Sequence, residues 1–74
     1  MKVTLESTTK IVQLNGVPAR VWEGKTESGI KVHAFITRIA VNKDEPNISE
    51  FEGGLKECSA PSVEVAAYPS SMIL

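Results

Sequence analysis

His33 is the only histidine of the chain and Cys58 its only cysteine. Either could carry nucleophilic or acid–base chemistry, but each needs company. A histidine base requires a nucleophile or an orienting carboxylate beside it. The strand pairing expected below sets Arg20 opposite His33, and a guanidinium there disfavours the imidazolium. His33 therefore reads as a surface or interface residue. Cys58 follows Lys56 and Glu57 at the end of an expected helix, where the dipole opposes a thiolate. It reads as a buried or incidental thiol. Asp44, Glu45, Glu50, Glu52 and Glu57 form an acidic stretch without the Asp-x-Asp spacing of a calcium loop, which predicts a solvated helix face. Gly24-Lys25-Thr26 matches the tail of a phosphate-binding loop. The preceding Gly-x-x-x-x-Gly is missing, because position 19 is Ala, and no helix follows. No catalytic residue, cofactor or metal is expected from this set, and the chain reads as a non-enzyme.

One constellation stands out. Arg20, Trp22, Lys31, His33 and Phe35 combine aromatic and cationic side chains within two adjacent segments, with Arg38 just beyond. Aromatics stack on bases and cations meet phosphates, and a protein partner would use the same residue types as anchors. The competing reading is that a helix or the C-terminal tail covers this face as core, since Ile39 and Val41 continue it with apolar residues.

The segments that must position these residues read as strands. Residues 17–23 and 30–41 are rich in Val, Ile, Thr, Phe and Trp, which suit a pleated, half-buried surface. Gly24-Lys25-Thr26-Glu27-Ser28-Gly29 separates them as a turn, and Asn15-Gly16 is a strong hairpin signal joining residues 10–14 to residue 17. Pairing about Asn15-Gly16 sets Leu14 opposite Val17, Val12 opposite Ala19 and Lys10 opposite Val21. Pairing about the second turn sets Val21 opposite Val32, Ala19 opposite Ala34 and Val17 opposite Ile36. Both registers agree on one buried face of Val12, Leu14, Val17, Ala19, Val21, Ile30, Val32, Ala34 and Ile36. They leave Ile11, Gln13, Pro18, Arg20, Trp22, Lys31, His33 and Phe35 on the other. Pro18 cannot donate to a ladder and belongs at a bulge or a non-bonded position.

Elsewhere the signals are shorter. Residues 2–5 suggest an edge strand, with a break at Ser7-Thr8-Thr9. The apolar segment 30–41 would span roughly 40 Å as one strand, so it bends near Thr37-Arg38 or pairs with another subunit. Asn47 and Glu50 fit a capping box, and Ile48, Phe51 and Leu55 fall at helical spacing, although Gly53-Gly54 weakens the helix. Residues 62–68 read as extended. Met72-Ile73-Leu74 is an apolar end, so residues 69–74 are a candidate docking tail. The expected fold is mainly β (α+β): a three- to five-stranded antiparallel meander, one short helix near residues 48–57, and residues 1–74 as a single domain.

Composition sets the outer bounds. Seventy-four residues with four aromatics supply only a thin core, and a domain of this size is marginally stable unless something adds to it. One cysteine excludes an internal disulfide, which favours a homo-oligomer. A net charge of −1 argues against phosphate-backbone binding and against a polybasic membrane anchor. No segment approaches the ~20 apolar residues of a membrane span, and the first residues lack the apolar stretch of an export signal. A cytoplasmic protein with a reduced thiol is expected.

Gly-Val-Pro-Ala-Arg-Val-Trp-Glu-Gly (16–24), Ser-Gly-Ile-Lys-Val-His-Ala-Phe-Ile-Thr-Arg-Ile-Ala-Val (28–41) and Ala-Pro-Ser-Val-Glu-Val (60–65) together resemble small phage- and prophage-encoded accessory proteins. That family has no established site to transfer. The resemblance implies a compact protein made in a bacterial cytoplasm, in a class where inhibitors of host defence are common. The leading expectation is a binding protein that blocks or sequesters a host factor. A sponge for a small signalling nucleotide, held between subunits by Arg20, Trp22, Lys31, His33 and Arg38, is the alternative. A structural virion or assembly component is the third.

Overall fold

A computed structural model describes residues 1–74. The chain runs β1 (Val3–Leu14), β2 (Val17–Thr26), β3 (Lys31–Ile36), α1 (Ile48–Leu55), α2 (Val63–Ala66) and β4 (Ser71–Met72). The protein is mainly β, as expected, with one sheet ordered β3-β2-β1-β4. The first three strands form the antiparallel meander, while β4 lies parallel to β1 and makes the sheet mixed. No helix is long and apolar enough to cross a membrane.

The first hairpin forms as its turn chemistry dictates. Asn15 and Gly16 have φ of 51° and 81°, the pair of left-handed residues that a two-residue turn between twisted strands requires. Leu14 faces Val17 and Val12 faces Ala19. The pairing of Lys10 with Val21 does not form. Residues 3–14 are one continuous strand with a bulge, in which Thr8, Thr9 and Lys10 stand against Val21 alone, between the pairs Ser7–Trp22 and Ile11–Arg20. The buried Thr8 hydroxyl donates to the Val21 carbonyl at 2.7 Å and accepts the Lys10 N–H at 3.2 Å. Arg20 Nη1 donates to the Thr8 carbonyl at 2.7 Å. Two extra residues preserve the inside–outside parity, so the first half of β1 pairs with residues 22–26 of β2.

The second hairpin differs from its expected register. β2 continues through Gly24 to Thr26, and the tip is Glu27-Ser28-Gly29, with Gly29 at φ 88°. Thr26 N–H donates to the Ile30 carbonyl at 2.9 Å, and the Thr26 hydroxyl accepts the Ile30 N–H at 3.1 Å. Gly24 serves a close approach instead of a turn: a Cβ there would strike the Thr4 main-chain carbonyl. In consequence Val21 faces Phe35 instead of Val32, and Trp22 faces Ala34 instead of Lys31. An odd slip turns every β3 side chain to the other side of the sheet. Val32, Ala34 and Ile36 therefore share the side of Trp22, and Lys31, His33 and Phe35 share the side of Val21. Strand β3 ends at Ile36, so residues 30–41 are not one long strand.

The core lies on the Val21 side. Val12, Ala19, Val21 and Val65 are fully buried there, with Leu14, Phe35, Tyr68 and Met72 packed around them. Val65 arrives on α2, where an extended segment was expected. Ser62 precedes the helix in extended backbone and its hydroxyl accepts the Val65 N–H at 3.3 Å, the cap geometry that starts a helix despite two β-branched residues. The Asn47 side chain makes no such cap at α1, and no α1 residue is fully buried. The last residues return along β1: Gln13 N–H donates to the Ser70 carbonyl at 2.7 Å and Asn15 N–H to that of Met72 at 2.8 Å. Ile73 and Leu74 project into solvent.

Two substitutions test this architecture. Thr8→Val keeps the volume but strands a buried carbonyl and an N–H, and should cost about 1–3 kcal/mol in urea unfolding. Gly24→Ala forces β1 and β2 apart and should cost about 1–3 kcal/mol as overpacking does. Wild-type stability in either variant would contradict the bulge or the close approach respectively.

Candidate functional site

The register divides the candidate residues between two sides of the sheet. Phe35 sits at the core edge, its ring meeting Tyr68 edge-on at 5.1 Å and 80°. His33 Nδ1 lies 2.8 Å from the Tyr68 hydroxyl, with ring centroids 5.6 Å apart. The sequence carried no signal for this pairing, since Tyr68 lies in a segment expected to be extended. Lys31 stands beyond His33 on the same side.

There the sheet and the residues before α2 enclose a polar cleft of about 560 Å³, lined among others by Glu6, Glu23, Lys25, Lys31, His33 and Glu64. Glu23 Oε2 accepts the Ser62 N–H at 2.9 Å, which ties α2 to β2. The Glu64 carboxyl is held below its ordinary value by its own main-chain N–H first, then by the Ser62 hydroxyl and by Lys31, with a smaller contribution from His33. Carboxylates and lysines share the lining of this cleft. His33 stands opposite Glu23 instead of Arg20, which faces Ile36, and its ring meets the Tyr68 phenol; Cys58 follows α1 with its thiol directed at the Leu55 carbonyl, 3.9 Å away. No three His, Cys, Asp or Glu side chains gather as a metal site.

The opposite side carries Trp22, Arg20 and Arg38. They line an apolar groove of about 310 Å³ with Ile11, Pro18, Ala19, Ile36, Thr37, Ile39 and Leu55. The segment after β3 forms one wall, and the last turn of α1 the other. Ile11, Ile39 and Leu55 remain 43%, 40% and 41% exposed and Trp22 is half-buried, so the groove is open to solvent. Pro18 fits because its ring nitrogen points away from β1, at a position past the end of β3 where no ladder bond is lost. Arg20 contributes its stem to the groove while one guanidinium nitrogen holds Thr8; the remaining donors of the fork are available to a ligand. Arg38 is exposed.

Arg20, Trp22 and Arg38 are thus brought together, while Lys31 and His33 are separated from them by the sheet. Within one chain the five residues do not share a face, because β2 and β3 pair three positions away from the expected register. No protein family, curated protein or solved structure matches the chain.

The lowered Glu64 pKa has a defined pH signature. A carboxylate whose folded pKa lies below the ordinary 4.5 stabilises the fold above that value and loses the contribution as pH falls through its folded pKa. Thermal unfolding of Glu64→Gln should show a small deficit at neutral pH that closes in acid. A deficit independent of pH would assign the effect to packing.

Proposed function

We propose that the chain is a non-enzymatic binding protein whose recognition site is the Trp22 groove, and that its ligand is a protein segment with apolar anchors flanked by carboxylates. The observation that carries this reading is the open apolar groove with a tryptophan floor and two arginines at its rim. Trp and Arg are the residue types that dominate binding energy at protein interfaces. A slot of this shape accepts aliphatic or aromatic side chains, and the guanidinium groups favour bidentate carboxylate partners. In the phage-accessory setting that the sequence resemblance implies, the partner would be a host defence protein of the bacterial cytoplasm, blocked or sequestered by occupation of this groove.

Trp22 is the only tryptophan, so its fluorescence reports the groove directly. Peptides selected from a random display library on the immobilised protein should be enriched in apolar residues next to Asp and Glu. Their binding should shift the Trp22 emission. Arg38→Ala should weaken the selected peptides, and Trp22→Ala should cost at least about 2 kcal/mol, roughly 30-fold, as a central anchor does. Circular dichroism should stay unchanged in both variants. Peptides that bind both variants as tightly as wild type would remove the groove as the recognition site.

A further inference from the structure

We infer that two copies of the chain join through the outer edge of β3, antiparallel and centred on Ala34, to make one eight-stranded sheet. The argument begins with main-chain bonding. Thr26 and Ile30 form a hydrogen-bonded pair, and in an antiparallel ladder such pairs recur at every second residue. Gly24–Val32, Trp22–Ala34 and Arg20–Ile36 follow. The N–H and C=O groups of Val32, Ala34 and Ile36 are therefore directed to β2, and those of Lys31, His33 and Phe35 are directed outward. None of the main-chain bonds made outside the ladders and helices involves residues 31–36. No side chain bonds to the main chain of β3 either. The outward row is free.

Its composition leaves it unguarded. Proteins protect edges with proline, bulges or inward charges. β3 reads Lys-Val-His-Ala-Phe-Ile and carries a single formal charge, at its first residue. The opposite edge differs, since β1 is covered by β4 and by the Thr8–Ser59 bridge.

Symmetry then selects the register. A two-fold axis perpendicular to the sheet keeps the core side of both copies on the same side, and it places one residue against itself. Centred on Ala34, the joint sets Val32 against Ile36 of the second copy twice, and His33 against Phe35 twice. These are apolar and aromatic cross-strand pairs of the stabilising kind. Lys31 falls at the ends, opposite Thr37. Centred on His33, the joint would set the two imidazoles face to face and Lys31 against Phe35, which is the poorer arrangement. Only 5 of 74 residues are buried in one chain, so burial of β3 adds to a thin core. The interface does not depend on what occupies the groove.

One consequence bears on recognition. Trp22 pairs with Ala34, so the row Trp22–Ala34–Ala34–Trp22 crosses the dimer on one side. Three strand spacings separate the two tryptophan backbones, roughly 14 Å. Both grooves face the same direction, and the dimer presents two sites to one partner surface.

Light scattering across a dilution series should give twice the 8.0 kDa of one chain, dissociating on dilution. In a Cys58→Ser background, Ala34→Cys should oxidise readily to a covalent dimer, because facing residues at a non-hydrogen-bonded pair have Cα atoms roughly 4.5 Å apart. Val32→Cys should not, since it faces Ile36. A mass of one chain at every concentration overturns the proposal. A dimer cross-linked by His33→Cys but not by Ala34→Cys overturns the register.

Discussion

The structure depends on the way Thr8 and Arg20 hold the bulge of β1. A strand that carries two extra residues leaves donors and acceptors without ladder partners, and each must be satisfied inside the protein. The Thr8 hydroxyl and carbonyl take Val21, Lys10 and Arg20 as partners. The outer edge of the same bulge takes Ser59 through two further bonds, from its N–H to the Ser7 carbonyl and from the Thr9 N–H to its carbonyl, each 3.0 Å. That second set fixes where the chain crosses before α2. From there Ser62 reaches Glu23 and Val65 reaches the centre of the core. The bulge thus decides both the pairing of the first half of β1 and the position of the only layer over the core.

How much of this was legible depended on how local each signal was. Asn15-Gly16 fixed its hairpin because both residues tolerate left-handed backbone and nothing distant competes. The second turn offered two glycines, and the wrong one looked like the boundary. Gly24 is required by its neighbour on β1, some twenty residues away in sequence, and a reading of local turn chemistry cannot see that constraint. β3 itself gave no correction: its two alternating sets, Val32-Ala34-Ile36 and His33-Phe35, are each apolar enough to face a core. The slip moved Lys31, His33 and Phe35 away from Trp22 and left Arg20, Trp22 and Arg38 together. Val63-Glu64-Val65 looked extended by residue type, and the serine cap before it was the overlooked competing signal.

The sheet separates two kinds of chemistry. Its core side continues into a cleft lined by acids, lysines and His33, where Glu23 accepts the N–H of the residue that caps α2 and His33 meets the Tyr68 hydroxyl. The other side has few such ties, and its apolar residues have kept much of their exposure. A small domain with a thin core would gain stability from covering that side. It leaves the side open, at the floor where its only tryptophan lies.

That separation bears on how such a chain can change over generations. Ile11, Ile39, Leu55 and Arg38 line the groove without belonging to the buried core. Substitutions there can change the shape and chemistry of the groove while the fold is inherited intact. Arg20 is the exception, because this groove residue also holds the Thr8 carbonyl through its guanidinium. Drift at position 20 is constrained by folding, so the groove has one fixed point around which its other residues are free to diversify.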